Sequence, residues 1–130
     1  MRRIQILLAD DDQRILDWLT TLLEPEFEVV ATVGNGRSLI ETAESLRPDL
    51  IITDISMPIL CGIEAAKEVM KSRPQTKIIF LTVHNDPDYI QEALKLGAAG
   101  YVFKSCLVSD LKVAISEVLE SRTYVSSQPS

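Results

Sequence analysis

The sequence is short of several features, and each shortage excludes a class of protein. Two cysteines in 130 residues, neither in a CxxC pair, are too few for a disulfide framework. No stretch approaches the roughly 20 apolar residues that cross a membrane. With 46% hydrophobic residues and five glycines, the chain is neither disordered nor collagen-like. Positive charge is also scarce: 13 Lys+Arg against 19 Asp+Glu give a net charge of −6, so this chain is not expected to bind nucleic acid.

The amino terminus does not resemble a secretory leader. The apolar run over 4–9 contains Gln5 and ends in three aspartates, so it is too short for one. Cys61 and Cys106 are therefore expected to be partly buried free thiols in a reducing compartment, with a redox or metal role as the alternative. These features predict a cytoplasmic protein that does not contact a membrane.

The chain does contain a regular alternation of two hydrophobic patterns. Nearly continuous apolar runs alternate with segments whose apolar residues recur every three or four positions, as on a helix face. The runs lie at 4–9, 29–31, 50–53, 77–82 and 100–103, and the helical segments at 15–23, 39–46, 63–70, 90–94 and 111–118. Five strand–helix units predict one doubly wound (βα)5 domain of the α/β class, with a parallel sheet in the order 2-1-3-4-5.

This domain is predicted to cover residues 1–120. From Ser121 the periodicity stops, and Ser, Pro, Gln and Thr dominate. Residues 121–130 are therefore predicted to form a linker or a disordered tail.

Reactive side chains occur where the predicted strands end. Strands one, three, four and five end in Asp10-Asp11-Asp12, Asp54, Thr82 and Lys104. Strands one and three are neighbours about 4.8 Å apart in this order, so Asp10, Asp11 and Asp54 are expected to converge. The third aspartate, Asp12, is better explained as the N-cap of the first helix.

Such a cluster predicts a cation site. Three carboxylates against the one lysine, Lys104, leave two uncompensated negative charges, which repel each other. Mg²⁺ suits this set because it takes hard oxygen ligands, keeps several waters and accepts phosphoryl oxygens, and Mn²⁺ is an alternative. The cluster therefore predicts a place where Mg²⁺ lies beside a phosphoryl group.

The motifs also resemble those of a known family. They are Leu8-Ala9-Asp10-Asp11-Asp12, Asp54-Ile55-Ser56-Met57-Pro58 with Gly62, Leu81-Thr82, and the stretch from Gly97 to Lys104. In this order, over about residues 3–120, they closely resemble the flavodoxin-like receiver domain of bacterial two-component response regulators. Details such as Asp-Ile-Ser-Met-Pro, Gly-Tyr-Val-Phe-Lys-Ser and His84 look most like the NarL/LuxR branch.

The resemblance implies a role for each site residue. Asp54 would be the phosphoacceptor, taking the phosphoryl group from a phosphohistidine of a histidine kinase. The Mg²⁺ ligands would be Asp10, Asp11, Asp54 and the backbone carbonyl of Ser56. Lys104 and Thr82 would bind phosphoryl oxygens, and Tyr101 would swing inward when Thr82 moves. Ser56 and His84 would tune how fast water removes the phosphoryl group.

The resemblance further implies a signalling switch and not a conventional enzyme. Phosphorylation would alter an output surface, formed by helix four, strand five and helix five or by helices one and five, and would favour a homodimer. In the NarL/LuxR branch a helix-turn-helix domain then regulates transcription. That domain would need about 60 further residues, so any DNA contact would come from it and not from this chain. A stand-alone receiver is the alternative.

Three features depart from the family pattern. Ser105 follows Lys104 where many receivers have a proline, often after a cis bond, so the backbone of that turn is open. Cys61 and Cys106 lie on predicted loops at the same end of the sheet as the acidic cluster. Strand one ends in three aspartates, which leaves open which two form the acidic pair.

Three other functions are alternatives to the receiver. An aspartate-nucleophile phosphatase of the haloacid dehalogenase class also uses Mg²⁺ and a lysine, but it needs Asp-x-Asp at strand one and room for a cap. A flavodoxin-type flavin protein needs a neutral phosphate loop where this chain has aspartates, and no Gly-rich phosphate-binding motif occurs. A phosphorylation-independent interaction module on the same fold also stays open.

Overall fold

The computed structural model describes residues 3–83 and 87–126 of the chain, in which strands and helices alternate. The strands are β1 (Gln5–Ala9), β2 (Glu28–Val33), β3 (Leu50–Asp54), β4 (Lys77–Thr82), β5 (Gly100–Phe103) and β6 (Tyr124–Val125). The helices are α1 (Gln13–Leu23), α2 (Gly36–Leu46), α3 (Gly62–Ser72), α4 (Pro87–Leu96) and α5 (Leu107–Leu119), and a 3₁₀ turn covers Lys104–Cys106.

The strands form one parallel sheet in the order β2-β1-β3-β4-β5-β6. Its first five members have the predicted order 2-1-3-4-5, which confirms the doubly wound α/β fold. The chain passes from β1 outward to β2 and then returns past β1 to β3. The switch in strand order therefore lies between β1 and β3, where this class of sheet binds its ligands.

Both faces of the sheet are covered. Leu7, Ile51 and Phe80 pack on one face, which α2, α3 and α4 cover. Ile6 and Leu8 pack on the other face, beneath α1 and α5. Successive strand residues point to opposite faces, so a strand that is buried on both faces must be apolar throughout. This explains why the strands are continuous apolar runs in the sequence.

Capping residues fix several of the helix ends. The Asp12 carboxylate accepts a hydrogen bond from the Arg14 N–H (3.0 Å), which confirms Asp12 as the N-cap of α1. Asn35 caps α2 in the same way, through the Ser38 N–H (2.8 Å). Gly97 follows α4 with a φ of +98°, a left-handed conformation that glycine adopts without strain.

The carboxyl-terminal segment differs from the sequence prediction. The composition of residues 121–130 predicts a linker or tail, but Tyr124–Val125 form β6 and extend the sheet beyond β5. The Tyr124 N–H donates to the Ala99 carbonyl (3.0 Å) and the Ser126 N–H to the Tyr101 carbonyl (2.9 Å). An uncovered β5 edge would leave these carbonyls without backbone partners, and Tyr and Val favour strands. The two-residue strand is too short to show as a periodic pattern.

No helix within residues 3–83 and 87–126 has the length and apolar character that crossing a bilayer requires.

Candidate functional site

The backbone register brings acidic residues together at the switch in strand order. β1 pairs with β3 so that Ala9 lies opposite Thr53, and the next residues are Asp10 and Asp54. Carboxylate oxygens of Asp10, Asp11 and Asp54 all lie within 4.8 Å of one another. Asp10 and Asp54 are buried, at 1% and 7% exposure, whereas Asp11 is exposed. The structure therefore places three carboxylates together, as the strand order predicts.

Lys104 reaches this cluster from the turn that follows β5. Its Nζ lies 2.8 Å from Asp10 Oδ2 and 3.3 Å from Asp54 Oδ2. Only 17% of the lysine side chain is exposed. A single cation thus spans the two buried carboxylates, and the exposed Asp11 carboxylate lies beside them without a described ion pair.

Burial and charge act in opposite directions on these groups. Burial raises the pKa of Asp54 above its ordinary value; the Lys104 charge lowers it, the Asp10 charge raises it, and the net shift is upward. Burial alone would lower the pKa of Lys104, but the adjacent Asp10 and Asp54 carboxylates outweigh burial and raise it. At neutral pH the lysine is therefore charged, while the cost of ionising Asp54 is only partly offset by that charge.

One oxygen of the cluster has no well-aligned hydrogen bond. Asp10 Oδ1 accepts from the Asp12 N–H (2.9 Å). Asp10 Oδ2 is fully buried and makes only the charge contact with Lys104, whose geometry is not that of a hydrogen bond. Asp54 Oδ1 accepts a long bond from the Ser56 N–H (3.4 Å). Both acids therefore keep acceptor capacity that a ligand could use.

These observations fit Mg²⁺. The donors are carboxylate oxygens, which Mg²⁺ prefers, and an exposed ligand such as Asp11 leaves room for the waters that Mg²⁺ retains. Among the described residues this three-residue group contains neither histidine nor cysteine, which are the usual ligands of zinc, so the group suits zinc less well. The Ser56 backbone carbonyl as a further ligand stays a prediction.

An open cavity of about 550 Å³ adjoins the cluster. It is lined by Asp11, Ile55, Ser56, Met57, Pro58, Cys61, Ile63 and Glu92. Its walls come mainly from the loop between β3 and α3, and α4 supplies Glu92. The opening gives a ligand access from solvent to Asp11 and to the loop that follows Asp54.

Gly62 holds this loop against the phosphoacceptor candidate. A Cβ added at Gly62 would lie 2.0 Å from the Asp54 carbonyl oxygen, and the Gly62 N–H donates to the Ile55 carbonyl (2.7 Å). The start of α3 therefore packs directly on the backbone of Asp54. Gly62 belongs to the recognised motif, but its contact with Asp54 has no signal in a single sequence.

The remaining predicted residues vary in how they relate to the cluster. Thr82 is buried at the end of β4, opposite Phe103 of β5. Tyr101 is fully buried and packs edge to face on Phe103, with ring centroids 5.8 Å apart. The ring thus already occupies an inward position, and β6 covers the edge of its strand. His84 lies outside the described residues.

The departures from the family pattern have simple structural counterparts. Ser105 lies in the 3₁₀ turn that carries Lys104, and the described peptide bonds are all trans. Cys61 and Cys106 are both half-buried free thiols, as the sequence predicts. Cys61 lines the cavity, and Cys106 precedes α5.

Comparison with known proteins agrees with this geometry. The family model described as the response regulator receiver domain matches residues 6–116. The chain is 36% identical to the transcriptional regulatory protein DegU of Brevibacillus brevis over 95% of its own length and 53% of that protein. It is 33% identical to the oxygen regulatory protein NreC of Staphylococcus haemolyticus, over 94% of its own length and 58% of that protein. The chain thus spans about half the length of these curated relatives.

Solved structures give the same result. A two-component response regulator of the LuxR family from Aurantimonas sp. SI85-9A1 aligns with a TM-score of 0.89 at 27% identity, over 95% of this chain and 89% of that one. The isolated REC domain of RcsB from Salmonella enterica serovar Typhimurium, solved with the phosphomimetic BeF3⁻, aligns with a TM-score of 0.88 at 27% identity, over 96% and 94%. With the acidic cluster, its lysine and the doubly wound sheet, these matches show that the chain belongs to the response regulator receiver domain family, and the proteins that it resembles include LuxR-family regulators.

Proposed function

We propose that this chain is a phosphorylation-activated switch in which Asp54 accepts a phosphoryl group from a histidine kinase. The observation that carries the proposal is the position of Lys104, whose Nζ contacts Asp10 Oδ2 and Asp54 Oδ2 at the switch in strand order. A fixed cation beside the candidate nucleophile can bind the oxygens of an incoming phosphoryl group. The match to the receiver domain family and the similarity to the RcsB structure with BeF3⁻ support the same role for Asp54.

In this proposal each residue has a defined task. A carboxylate oxygen of Asp54 attacks the phosphorus, the P–N bond of the phosphohistidine breaks, and the imidazole nitrogen leaves with the electron pair. Lys104 holds the transferred oxygens electrostatically, and the Thr82 hydroxyl donates to one of them. Ser56 and His84 would set how fast water reaches the acyl phosphate, so that the chain dephosphorylates itself slowly.

Asp10, Asp11, Asp54 and the Ser56 carbonyl would hold Mg²⁺, with Mn²⁺ as an alternative. When bound, the ion supplies positive charge that offsets the repulsion between the carboxylates and the phosphoryl oxygens. Asp10 keeps an acceptor oxygen for this purpose, and Asp11 is open to solvent.

The signal would leave the domain through a change in its surface. A phosphoryl group adds about −1.5 to −2 charge and three acceptor oxygens beside Thr82. Movement of Thr82 toward them would be accompanied by a change at Tyr101, which is already buried, and thereby at the surface of α4, β5 and α5. A phosphorylation-dependent homodimer in the cytoplasm would follow, and it would regulate transcription through a helix-turn-helix domain. One relative is named a transcriptional regulatory protein, and RcsB dimers have been solved on DNA, which supports dimerisation and transcriptional output. The receiver would cover residues 1–120 and be followed by a linker or tail, of which residues 124–125 pair with β5.

The test is direct phosphorylation of the chain with acetyl phosphate and Mg²⁺. Mass spectrometry should find one phosphoryl adduct that is acid-stable and alkali-labile in the unchanged protein, and none in Asp54→Ala. Asp12→Asn is the matched control, because it neutralises the neighbouring helix cap, exposed at the start of α1, while keeping an acceptor oxygen. An adduct that persists in Asp54→Ala would overturn the assignment. Rapid turnover of phosphate esters would instead favour a phosphatase.

A further inference from the structure

The short strand β6 is followed by Ser126, whose hydroxyl makes two hydrogen bonds. Ser126 is 4% exposed, and its Oγ accepts from the Phe103 N–H (3.3 Å) and donates to Asp110 Oδ2 (2.8 Å). The Ser126 N–H also donates to the Tyr101 carbonyl (2.9 Å). Ser126 thus links the end of β5, at Tyr101 and Phe103, to Asp110 of α5.

Asp110 fixes the orientation of that serine. Its second oxygen lies 3.0 Å from the Ser109 hydroxyl, which also lies 3.2 Å from the Cys106 carbonyl. Because the Asp110 carboxylate is an acceptor only, it requires the Ser126 proton to point toward it. The serine lone pairs are then left for the Phe103 N–H.

The Phe103 amide is one residue from Lys104. Phe103 is the last residue of β5, and the lysine opens the 3₁₀ turn that follows. From there its Nζ must come within about 3 Å of two buried carboxylates on other strands. A shift of the Phe103 backbone would therefore move the start of the lysine side chain relative to Asp10 and Asp54.

We propose that Ser126, oriented by Asp110, is a positioning residue for Lys104, and that docking of the segment 124–126 and binding of a phosphoryl group favour each other. This rests on the proposed function of the site. Neither residue touches the acidic cluster, so each acts through the end of β5. Linkage requires reciprocity: if docking of β6 strengthens phosphoryl binding by a given factor, phosphoryl binding strengthens docking by the same factor. The segment 124–126 would then be held more firmly on β5 in the phosphorylated state.

The test measures two affinities by calorimetry in the full chain, that for Mg²⁺ alone and that for BeF3⁻ in the presence of Mg²⁺. Ser126→Ala should weaken BeF3⁻ binding by about three- to tenfold, the range for one hydrogen bond. It should leave Mg²⁺ binding no weaker, because the three carboxylates are not bonded to β6. Ser126→Thr, which keeps the hydroxyl, should restore most of the BeF3⁻ affinity. Ser109→Ala is the matched control, since its hydroxyl contacts the same carboxylate without reaching β5.

Amide hydrogen exchange provides a second measurement that does not depend on affinity. The Phe103 amide should exchange faster in Ser126→Ala than in the unchanged protein, and BeF3⁻ should slow exchange at Ser126. Equal BeF3⁻ affinity in Ser126→Ala and the unchanged protein, an equal loss in Ser109→Ala, or a parallel loss of Mg²⁺ affinity would each refute the positioning role. If the unchanged protein failed to bind BeF3⁻ at all, the proposed function would fall, and this proposal with it.

Discussion

Removing the Lys104 charge tests the electrostatic account of the site. Lys104→Met keeps most of the aliphatic stem and leaves Asp10 and Asp54 buried without their cation. Removing one partner of a buried ion pair costs about 3–5 kcal/mol, and the partial exposure of this lysine reduces the expected loss to about 2–3 kcal/mol. For a domain of this size the melting temperature should fall by roughly 6–15 °C.

The assay is urea unfolding at pH 7 in EDTA, with Lys112→Met as the matched control. Lys112 Nζ lies 2.8 Å from Glu26 Oε1, as close as Lys104 lies to Asp10, but both side chains of that pair are about half exposed. Because solvent and salt screen exposed ion pairs, Lys112→Met should lower the free energy of unfolding by less than about 0.5–1 kcal/mol. The difference between the two variants isolates the effect of burial.

The pH dependence of stability tests whether the ionised Asp54 carboxylate causes the loss in Lys104→Met. Burial already raises the pKa of Asp54, and loss of the lysine charge should raise it further. A carboxyl whose pKa is raised in the folded state destabilises that state at pH values above this pKa, and the effect disappears as pH falls through it. The loss in free energy of unfolding caused by Lys104→Met should therefore become smaller as the pH falls from 7 to about 4. Millimolar Mg²⁺ should recover part of the deficit at pH 7, because it replaces the missing positive charge.

Two results would refute this reasoning. The first is a Lys104→Met stability within about 0.5 kcal/mol of the Lys112→Met control, since burial would then have no effect. The second is a deficit that stays constant down to pH 4, because lost packing of the stem, and not unpaired carboxylates, would then be its cause.

Three further predictions concern the elements around the cluster. Gly62→Ala should abolish phosphorylation and lower the free energy of unfolding by more than about 2 kcal/mol, as measured by urea titration, because its Cβ would lie 2.0 Å from the Asp54 carbonyl. Asp12→Ala should lower stability by about 1 kcal/mol through loss of the α1 cap, and calorimetry should find Mg²⁺ affinity unchanged. Ile59→Gly should raise stability by up to about 1 kcal/mol, because an exposed isoleucine there has a φ of +71°, and a lower melting temperature would contradict this strain.

The sequence predicts the fold and the cluster because both depend on local patterns. Continuous apolar runs identify strands buried on both faces, and the end of a run identifies the carboxyl edge where Asp54 and Lys104 lie. The strand order then follows from a small set of known topologies. By contrast, β6 is two residues long, and the bond from Phe103 to Ser126 joins positions 23 residues apart. The contact of Gly62 with Asp54 depends on how the start of α3 packs against the end of β3. Neither contact produces a repeating pattern of residues that could be recognised in the sequence.

The site also explains why a charged cluster is retained at a cost in stability. Asp10 and Asp54 are buried side by side, and one lysine cannot satisfy both, since Asp10 Oδ2 has no aligned hydrogen bond. An apolar pair at these positions would be expected to fold as well or better. The unsatisfied acceptor capacity is useful only if a cation enters, because the two positive charges of Mg²⁺ would offset the two uncompensated negative charges of the cluster. In the proposed function a phosphoryl group would then bind beside that cation and stabilise one arrangement of β4, β5 and the segment that follows α5, and the poorly satisfied resting cluster would make that arrangement responsive to phosphorylation.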